Sequence, residues 1–246
     1  MSQTSSSKFL AYRPQAGFRH HIAFTTVDAG NMSTTVLDAS ENAAHPAENR
    51  RRMERNLGIE PGTTRFVSQI HSNKVVDASA DGWAADAALV EADALVSVTG
   101  REPLGILVAD CLPVAFTTDY GPSAIAHAGR VGLLGGILEN TVERLREVDG
   151  ADRGRIHAVI GPSICGQCYE VPAEMQEHAT KRYPEIASET SWGTPALDLP
   201  AAAESVLAGL QVDVLRSHDC TYTNQQYYSH RRQPGRGRIA GYVWQG

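Results

Sequence analysis

The sequence predicts a single domain of the α+β class, with helices packed on mixed, partly antiparallel β-sheet. Short apolar runs of strand length crowd its middle: LGILVA (104–109), PVAFTT (113–118), SAIAHA (123–128) and IHAVIG (156–161). Leu134, Leu138, Val142 and Leu145 then recur at helical spacing, which marks a helix with one buried face. No linker, internal repeat or composition shift divides the 246 residues, so one shared core is the economical arrangement.

In chain order, residues 1–8 are polar and Ser-rich and read as a disordered terminus, leaving 9–246 as the domain. FRHHIAFTT (18–26) reads as a strand and the polar stretch after it as a long loop. HPAENRRRMERNLG (45–58) reads as a helix, with Pro46 in the first turn and Gly58 at the stop. Its charge run, Arg50 to Arg55, reads as a solvated face. TRFVSQI (64–70) and ALVSV (94–98) are expected strands. PVAFTT and SAIAHA form a hairpin about Asp119-Tyr120-Gly121-Pro122, a group of turn formers. One helix is expected over 132–148. PAEMQEHATKRY and PAAAESVLAGL are further helices, and VDVL and IAGYVW are closing strands.

The formal net charge of −6 argues against nucleic acid as a partner, because such proteins carry a basic footprint. Nothing in the chain is long and apolar enough to span a bilayer; the strongest run, Leu104 to Phe116, is broken by Asp110. The start, MSQTSSSK, lacks the apolar core of a secretory signal. A cytoplasmic location is therefore expected. The four cysteines, Cys111, Cys165, Cys168 and Cys220, then favour ligand or catalytic roles over disulfides.

Three segments carry the chemistry: QIHSNKVV with His71, VADCLPVAF with Asp110 and Cys111, and AIAHAGRVGLLGG with His127. The hairpin brings the last two to one end of a sheet. One register sets Cys111 opposite His127, and another, slipped by three residues, sets Val114 there. Two imidazoles and a thiolate suit Zn²⁺ with an open fourth position, and they also suit copper. Spacing alone does not enforce such a site, because a buried Cys also packs as a small hydrophobe.

Around this set lie candidate anion contacts. Gly129, Gly132, Gly135 and Gly136 sit at a strand-to-helix junction, where backbone N–H groups meet anions. Close strand–helix packing explains such glycines equally well. SHRRQPGRGR gathers His230, Arg231, Arg232, Arg236 and Arg238; arginine forks recognise phosphate or carboxylate, and a plain solvated basic loop explains the stretch equally well. Cys165 and Cys168 form a CxxC between a strand and a helix, the order of a redox pair, but the surrounding pattern is not that of a thioredoxin domain.

QIHSNKVV, EADALVSV, VADCLPVAF, AIAHAGRVGLLGG, AVIGPSICGQCYEV, DLPAAA and YYSHRRQPGRGRIAGYVW follow in that order. In this the chain resembles the YfiH-like family, also called the laccase-domain, polyphenol-oxidase or peptidoglycan-editing-factor family. The resemblance implies an α/β/β/α layered sandwich with mixed sheets, and metal ligands at His71, Cys111 and His127. It implies Zn²⁺, or Cu²⁺, as cofactor. It also implies phosphorolysis of adenosine, inosine and methylthioadenosine, with some adenosine deamination, by a monomer or homodimer. Asp110 is then a further catalytic candidate, and Gly129, Arg130, His230, Arg231 and Arg232 are substrate or phosphate contacts. Two departures stand out: HAGRVG replaces the usual HAGWRG, and Val27 stands where an arginine is common.

Other readings are copper-dependent phenol oxidation, a cysteine hydrolase acting on cell-wall precursors with Cys111 as nucleophile, and a non-enzymatic partner protein. A laccase needs several coppers held by paired histidine motifs; this chain has nine histidines and no His-x-His.

Overall fold

The structure, a computed structural model, describes residues 2–5, 7–13, 19–37, 44–78, 90–119, 121–149 and 154–246. In chain order its strands are β1 (Ser2–Ser5), β2 (Phe9–Arg13), β3 (His20–Thr25), β4 (Val75–Asp77), β5 (Ala94–Ser97), β6 (Leu104–Val108), β7 (Leu112–Thr118), β8 (Ser123–Ala128) and β9 (Ile156–Ile160). β10 (Ala187–Glu189), β11 (Pro195–Leu197), β12 (Asp213–Arg216) and β13 (Ile239–Gln245) complete them. The helices are α1 (Ala44–Leu57), α2 (Arg130–Gly135), α3 (Ile137–Asp149), α4 (Ala173–Thr180) and α5 (Leu199–Gly209).

Two large sheets face each other. One has the order β1-β2-β3-β13-β6, with antiparallel pairs throughout. The other has the order β12-β9-β7-β8-β5-β4 and is mixed, with parallel pairs at both edges. β10 and β11 form a separate small hairpin sheet. Strand alternation sorts the core into layers. Ile22, Phe24, Leu95, Leu104, Ile106, Ala115 and Ile125 fill the space between the sheets. Val96, Val114, Phe116 and Ala126 face the other way, against Leu138, Val142 and Leu145 of α3 and Ala202, Ala203 and Leu207 of α5. On the far side Ala23, Ala240 and Tyr242 pack under Met53 and Leu57 of α1. The layering is α/β/β/α, as the family resemblance implies, and among the described residues no helix is long and apolar enough to cross a membrane.

Several sequence expectations change. Ser2–Ser5 lies within the terminus expected to be disordered, yet its backbone pairs with β2; an unpaired sheet edge offers that ladder to any extended segment. TRFVSQI is no regular strand and makes only isolated bridges, Arg65 to Leu104 and Ser68 to Glu91. The helix expected over 132–148 is two helices. Gly136, at φ 91° in the left-handed region, closes α2 before α3 begins, a role glycine fills without steric cost. The charge run of α1 is only partly a solvated face. Arg50 Nε donates to Met32 O at 2.6 Å and Arg52 to Ala29 O at 2.9 Å, while the buried Glu54 accepts from Gly62 N–H at 2.6 Å. The two arginine bonds hold the loop after β3 against the helix, and the Glu54 bond holds the turn after α1. Phe18 and Tyr120, included above in the first strand and in the hairpin turn, lie outside the described residues.

Candidate metal centre and its cavity

The β7–β8 register lies between the two expected ones: Pro113 faces His127 and Leu112 faces Ala128. Alternation therefore aims His127 inward with Ile125, and Cys111 inward with Pro113 and Ala115. Cys111 reaches the end of the sheet because Asp110 turns the chain at φ 84°. His71 arrives from the irregular segment before β4 and itself holds a left-handed backbone, φ 60°. The donor atoms of His71, Cys111 and His127 all lie within 4.8 Å of one another, with Cys111 Sγ 4.0 Å from His71 Nε2. An imidazole and a thiolate on one zinc sit about 3.5 Å apart, from metal–ligand bonds of ~2.0–2.3 Å, so a small contraction of the set would close it on an ion.

Asp93 organises this set. It is fully buried at the start of β5, where alternation points it inward with Leu95. Its carboxylate accepts the backbone N–H groups of Ile70, His71 and Ser72 at 3.3, 3.0 and 2.6 Å, and the Ser72 hydroxyl at 2.7 Å. It also binds His127 Nδ1 at 2.8 Å, which leaves Nε2 as the ring atom facing Cys111. A carboxylate on the far nitrogen is the usual support of a metal-binding imidazole. Burial alone would raise the Asp93 pKa, but His127 and Ser72 outweigh it and hold it at about 2. Burial would also push the Cys111 thiol up, yet His127 and His71 bring it to about 6. His127, disfavoured as a cation by burial, is raised to about 9 by Cys111 and Asp93. In metal-free protein Cys111 is thus a thiolate at neutral pH. The ultraviolet thiolate absorbance lost in Cys111→Ala should titrate near pH 6; a midpoint near the ordinary thiol value of ~8.5 would show that the histidines do not act on it.

The glycines after His127 make room for this arrangement. A Cβ on Gly129 would sit 3.0 Å from both Cys111 Sγ and His71 Cδ2, and 3.5 Å from His127 Nε2. A Cβ on Gly132 would meet Ser72 O at 2.8 Å. Asn73 Nδ2 donates to Gly135 O at 2.7 Å, and Asn140 Nδ2 to Asn73 O at 2.9 Å. The run lets α2 and α3 clamp the loop that carries His71, and close packing accounts for these glycines.

The donor set opens into a cavity of about 500 Å³, within the range of small-ligand sites. Val36, Phe66 and Leu107 are among its apolar lining residues. Arg50, which stacks on the Phe66 ring at 4.3 Å, Arg130, His230, Arg231 and Arg238 make the lining basic. Tyr169, whose hydroxyl burial pushes up in pKa, stands beside Arg130 and under the Arg231 guanidinium, 5.3 Å from ring centre to carbon.

Two sequence-chosen residues serve elsewhere. Arg232 is absent from the cavity lining; its guanidinium donates to Thr221 O, Tyr222 O and Tyr227 O at 2.6–2.7 Å, so it staples the 221–227 turn. Asp110 borders the cavity, but its carboxylate accepts the Thr221 hydroxyl and the Arg231 N–H, each at 2.7 Å. It ties the C-terminal loop to the sheet end. Cys165 and Cys168 lie with Cys220 in a separate group. Sequence reasoning missed Asp93 and Tyr169. Asp93 left one signal, an acid directly before the apolar strand in EADALVSV.

The sequence pattern of the family described as multi-copper polyphenol oxidoreductase laccase matches residues 19–246. The chain belongs to this YfiH-like, laccase-domain family. A Streptomyces griseus family member named purine nucleoside phosphorylase ORF3 is 41% identical over 91% of this chain and 94% of its own. Escherichia coli purine nucleoside phosphorylase YfiH is 32% identical over 90% and 93%. The crystal structure of YlmD from Geobacillus stearothermophilus superposes with a TM-score of 0.85 at 26% identity, covering 99% of this chain and 98% of that one.

Proposed function

We propose that this laccase-domain protein is a zinc-dependent purine nucleoside phosphorylase acting on adenosine, inosine and methylthioadenosine, with adenosine deamination as a side activity. The observation that carries the reading is a three-donor set that lines a cavity together with apolar and basic side chains; the names of the relatives support it. His71, Cys111 and His127 would hold the ion, and bound Zn²⁺ supplies Lewis-acid polarisation of a substrate oxygen. Phe66, Val36 and Leu107 accept the purine face. Arg130 and Arg231 orient phosphate, with Tyr169 between them as a neutral hydrogen-bond donor. A phosphate oxygen bonds to C1′ of the ribose as the C1′–N9 bond breaks, and its electron pair leaves with the purine. His230, in the same cavity lining, delivers the proton that the departing base requires.

The test is adenine release from adenosine by zinc-loaded protein, with and without phosphate, beside His71→Ala. Phosphate-dependent release that disappears in the variant is expected; release indifferent to phosphate, or unchanged in the variant, overturns the reading. The two neighbouring arginines should separate. Arg231→Ala keeps the backbone bond to Asp110 and should raise KM for phosphate about tenfold with a smaller change in kcat. Arg232→Ala should leave that KM alone and cost about 2 kcal/mol of stability, from carbonyls left unpaired. Equal KM effects would remove the distinction.

One observation favours a second reading. Cys111, His127 and Asp93 run in the order of nucleophile, base and orienting acid, which is also the layout of a cysteine hydrolase. Such an enzyme, acting on a cell-wall precursor amide, would keep its activity after chelation, whereas the phosphorylase would lose it. Copper-dependent phenol oxidation has less support: of the two metal-capable His/Cys groups among the described residues, one alone contains histidine.

A further inference from the structure

Three of the four cysteines meet outside the cavity. Cys165 and Cys168 sit on one turn and Cys220 on another, and their Sγ atoms all lie within 4.8 Å of one another. Backbone bonds set this meeting. Cys168 N–H and Tyr169 N–H both donate to Cys165 O at 3.0 Å, which folds the CxxC into a tight knuckle with its thiols on one side. Ser163 N–H donates to Asp219 O at 3.3 Å, and Thr221 N–H to Ser163 O at 3.0 Å, so the Cys220 turn is stitched to the chain just before the knuckle. Cys165 N–H points at Cys220 Sγ, 3.4 Å away, a contact that stabilises a thiolate. Cys168 and Cys220 are buried and Cys165 is half-exposed, which gives an entry path. Ile164, Tyr169 and Tyr222 pack around the three thiols.

We propose that Cys165, Cys168 and Cys220 form a second metal site, a three-thiolate site for Zn²⁺ distinct from the His71–Cys111–His127 set. Thiolates are the softest protein ligands and select thiophilic ions such as Zn²⁺. C-x₂-C is the ligand spacing of zinc knuckles. Zinc-bound thiolates lie about 3.8 Å apart, from Zn–S bonds of ~2.3 Å in a tetrahedron, so the thiols need close by no more than about 1 Å. Binding displaces the thiol protons to solvent, and the fourth position falls to water on the Cys165 side. The ion would cross-link two turns that shape the cavity wall. Tyr169 follows Cys168 directly, and Ile164 N–H donates to Asp110 O at 3.0 Å, one residue before Cys111. The proposal does not depend on the function assigned to the first centre.

The test uses full-length protein under reducing, anaerobic conditions, with Co²⁺ as the spectroscopic substitute for Zn²⁺. In Cys111→Ala the first centre has no thiolate, so any sulfur-to-cobalt charge-transfer absorption must come from the trio. We expect Cys111→Ala to show that band at one equivalent of Co²⁺, to bind Zn²⁺ in its place, and to unfold at higher temperature with Zn²⁺ present. Adding Cys165→Ser, at the half-exposed position where folding is least at risk, should abolish the band, and Cys220→Ser should do the same. Circular dichroism of the metal-free variants checks their folding. Absence of the band in Cys111→Ala, or its persistence in the folded Cys165→Ser double variant, overturns the proposal. So does a trio that closes a disulfide in air and takes up no metal once reduced.

Discussion

Replacing Asp93 with alanine is expected to disable the metal centre more completely than losing any one ligand's immediate neighbour, although Asp93 touches no metal. Its two oxygens satisfy three backbone N–H groups of the 70–72 turn, the Ser72 hydroxyl and His127 Nδ1. Removing it strands those donors in the interior, each at a cost of about 1–3 kcal/mol. It also frees the turn that holds His71 at φ 60° and releases the His127 ring to rotate or change tautomer. Loss of an outer carboxylate typically weakens metal binding about 10–100-fold; because this one positions two ligands, the upper end is expected. Chelator competition should read that loss in affinity, and thermal unfolding of the metal-free variant a loss of about 3 kcal/mol or more. Metal affinity within twofold of the parent would refute the role. The pH dependence follows in sign. A carboxylate held at about 2, against ~3.9 when unfolded, adds stability that is fully present above ~3.9 and is lost as pH falls through 2. The variant should therefore lack this acid-sensitive component, and its stability at neutral pH should already be reduced.

The difference between what the sequence makes visible and what it hides has a physical basis. β7, β8, β9 and α3 are legible because burial on a whole face writes a period into the chain: Leu138, Val142 and Leu145 lie one helical turn or two apart and all are fully buried. The α2–α3 break was legible too, in Gly135-Gly136, but the apolar spacing continues across it and masks the change of axis. TRFVSQI misleads because Phe66, Val67 and Ile70 are residue types that favour strands, while a side chain takes over part of its ladder. The Gln69 amide donates to Leu107 O at 2.7 Å and accepts from Leu107 N–H at 2.8 Å, standing in for a neighbouring strand. His71, Cys111 and His127 belong to segments that spacing cannot join; the family resemblance united them, and the fold then shows a turn, a strand end and a strand meeting at one corner. Arg231 and Arg232 are the sharpest case. They are identical in chemistry and adjacent in sequence, yet one lines the cavity and the other is spent on four turn carbonyls. Only the path of the backbone separates them.

Gly129→Ala should separate metal binding from folding, and it carries the second large effect. Gly129 has φ −69° and ψ 167°, a backbone open to any L-residue, so the variant pays no conformational penalty and gains a little from a less flexible unfolded chain, about 0.4–1 kcal/mol. The added methyl group, however, would lie 3.0 Å from Cys111 Sγ and from His71 Cδ2 and 3.5 Å from His127 Nε2. It occupies the side from which all three donors approach one another. The cheapest relief is rotation of the exposed His71 ring away from the set, because Cys111 and His127 are held by the sheet. The metal-free variant should therefore unfold within a few degrees of the parent, while Zn²⁺ affinity at this centre and phosphate-dependent adenine release both fall about 100-fold or more. Gly135→Ala, whose methyl group would meet Asn73 at an ordinary 3.5 Å, is the matched control and should retain both. A Gly129→Ala protein that binds zinc as the parent does would mean that the donors can close on an ion from the opposite side. A variant that fails to fold would mean that the HAG turn is constrained by packing before it is constrained by ligands.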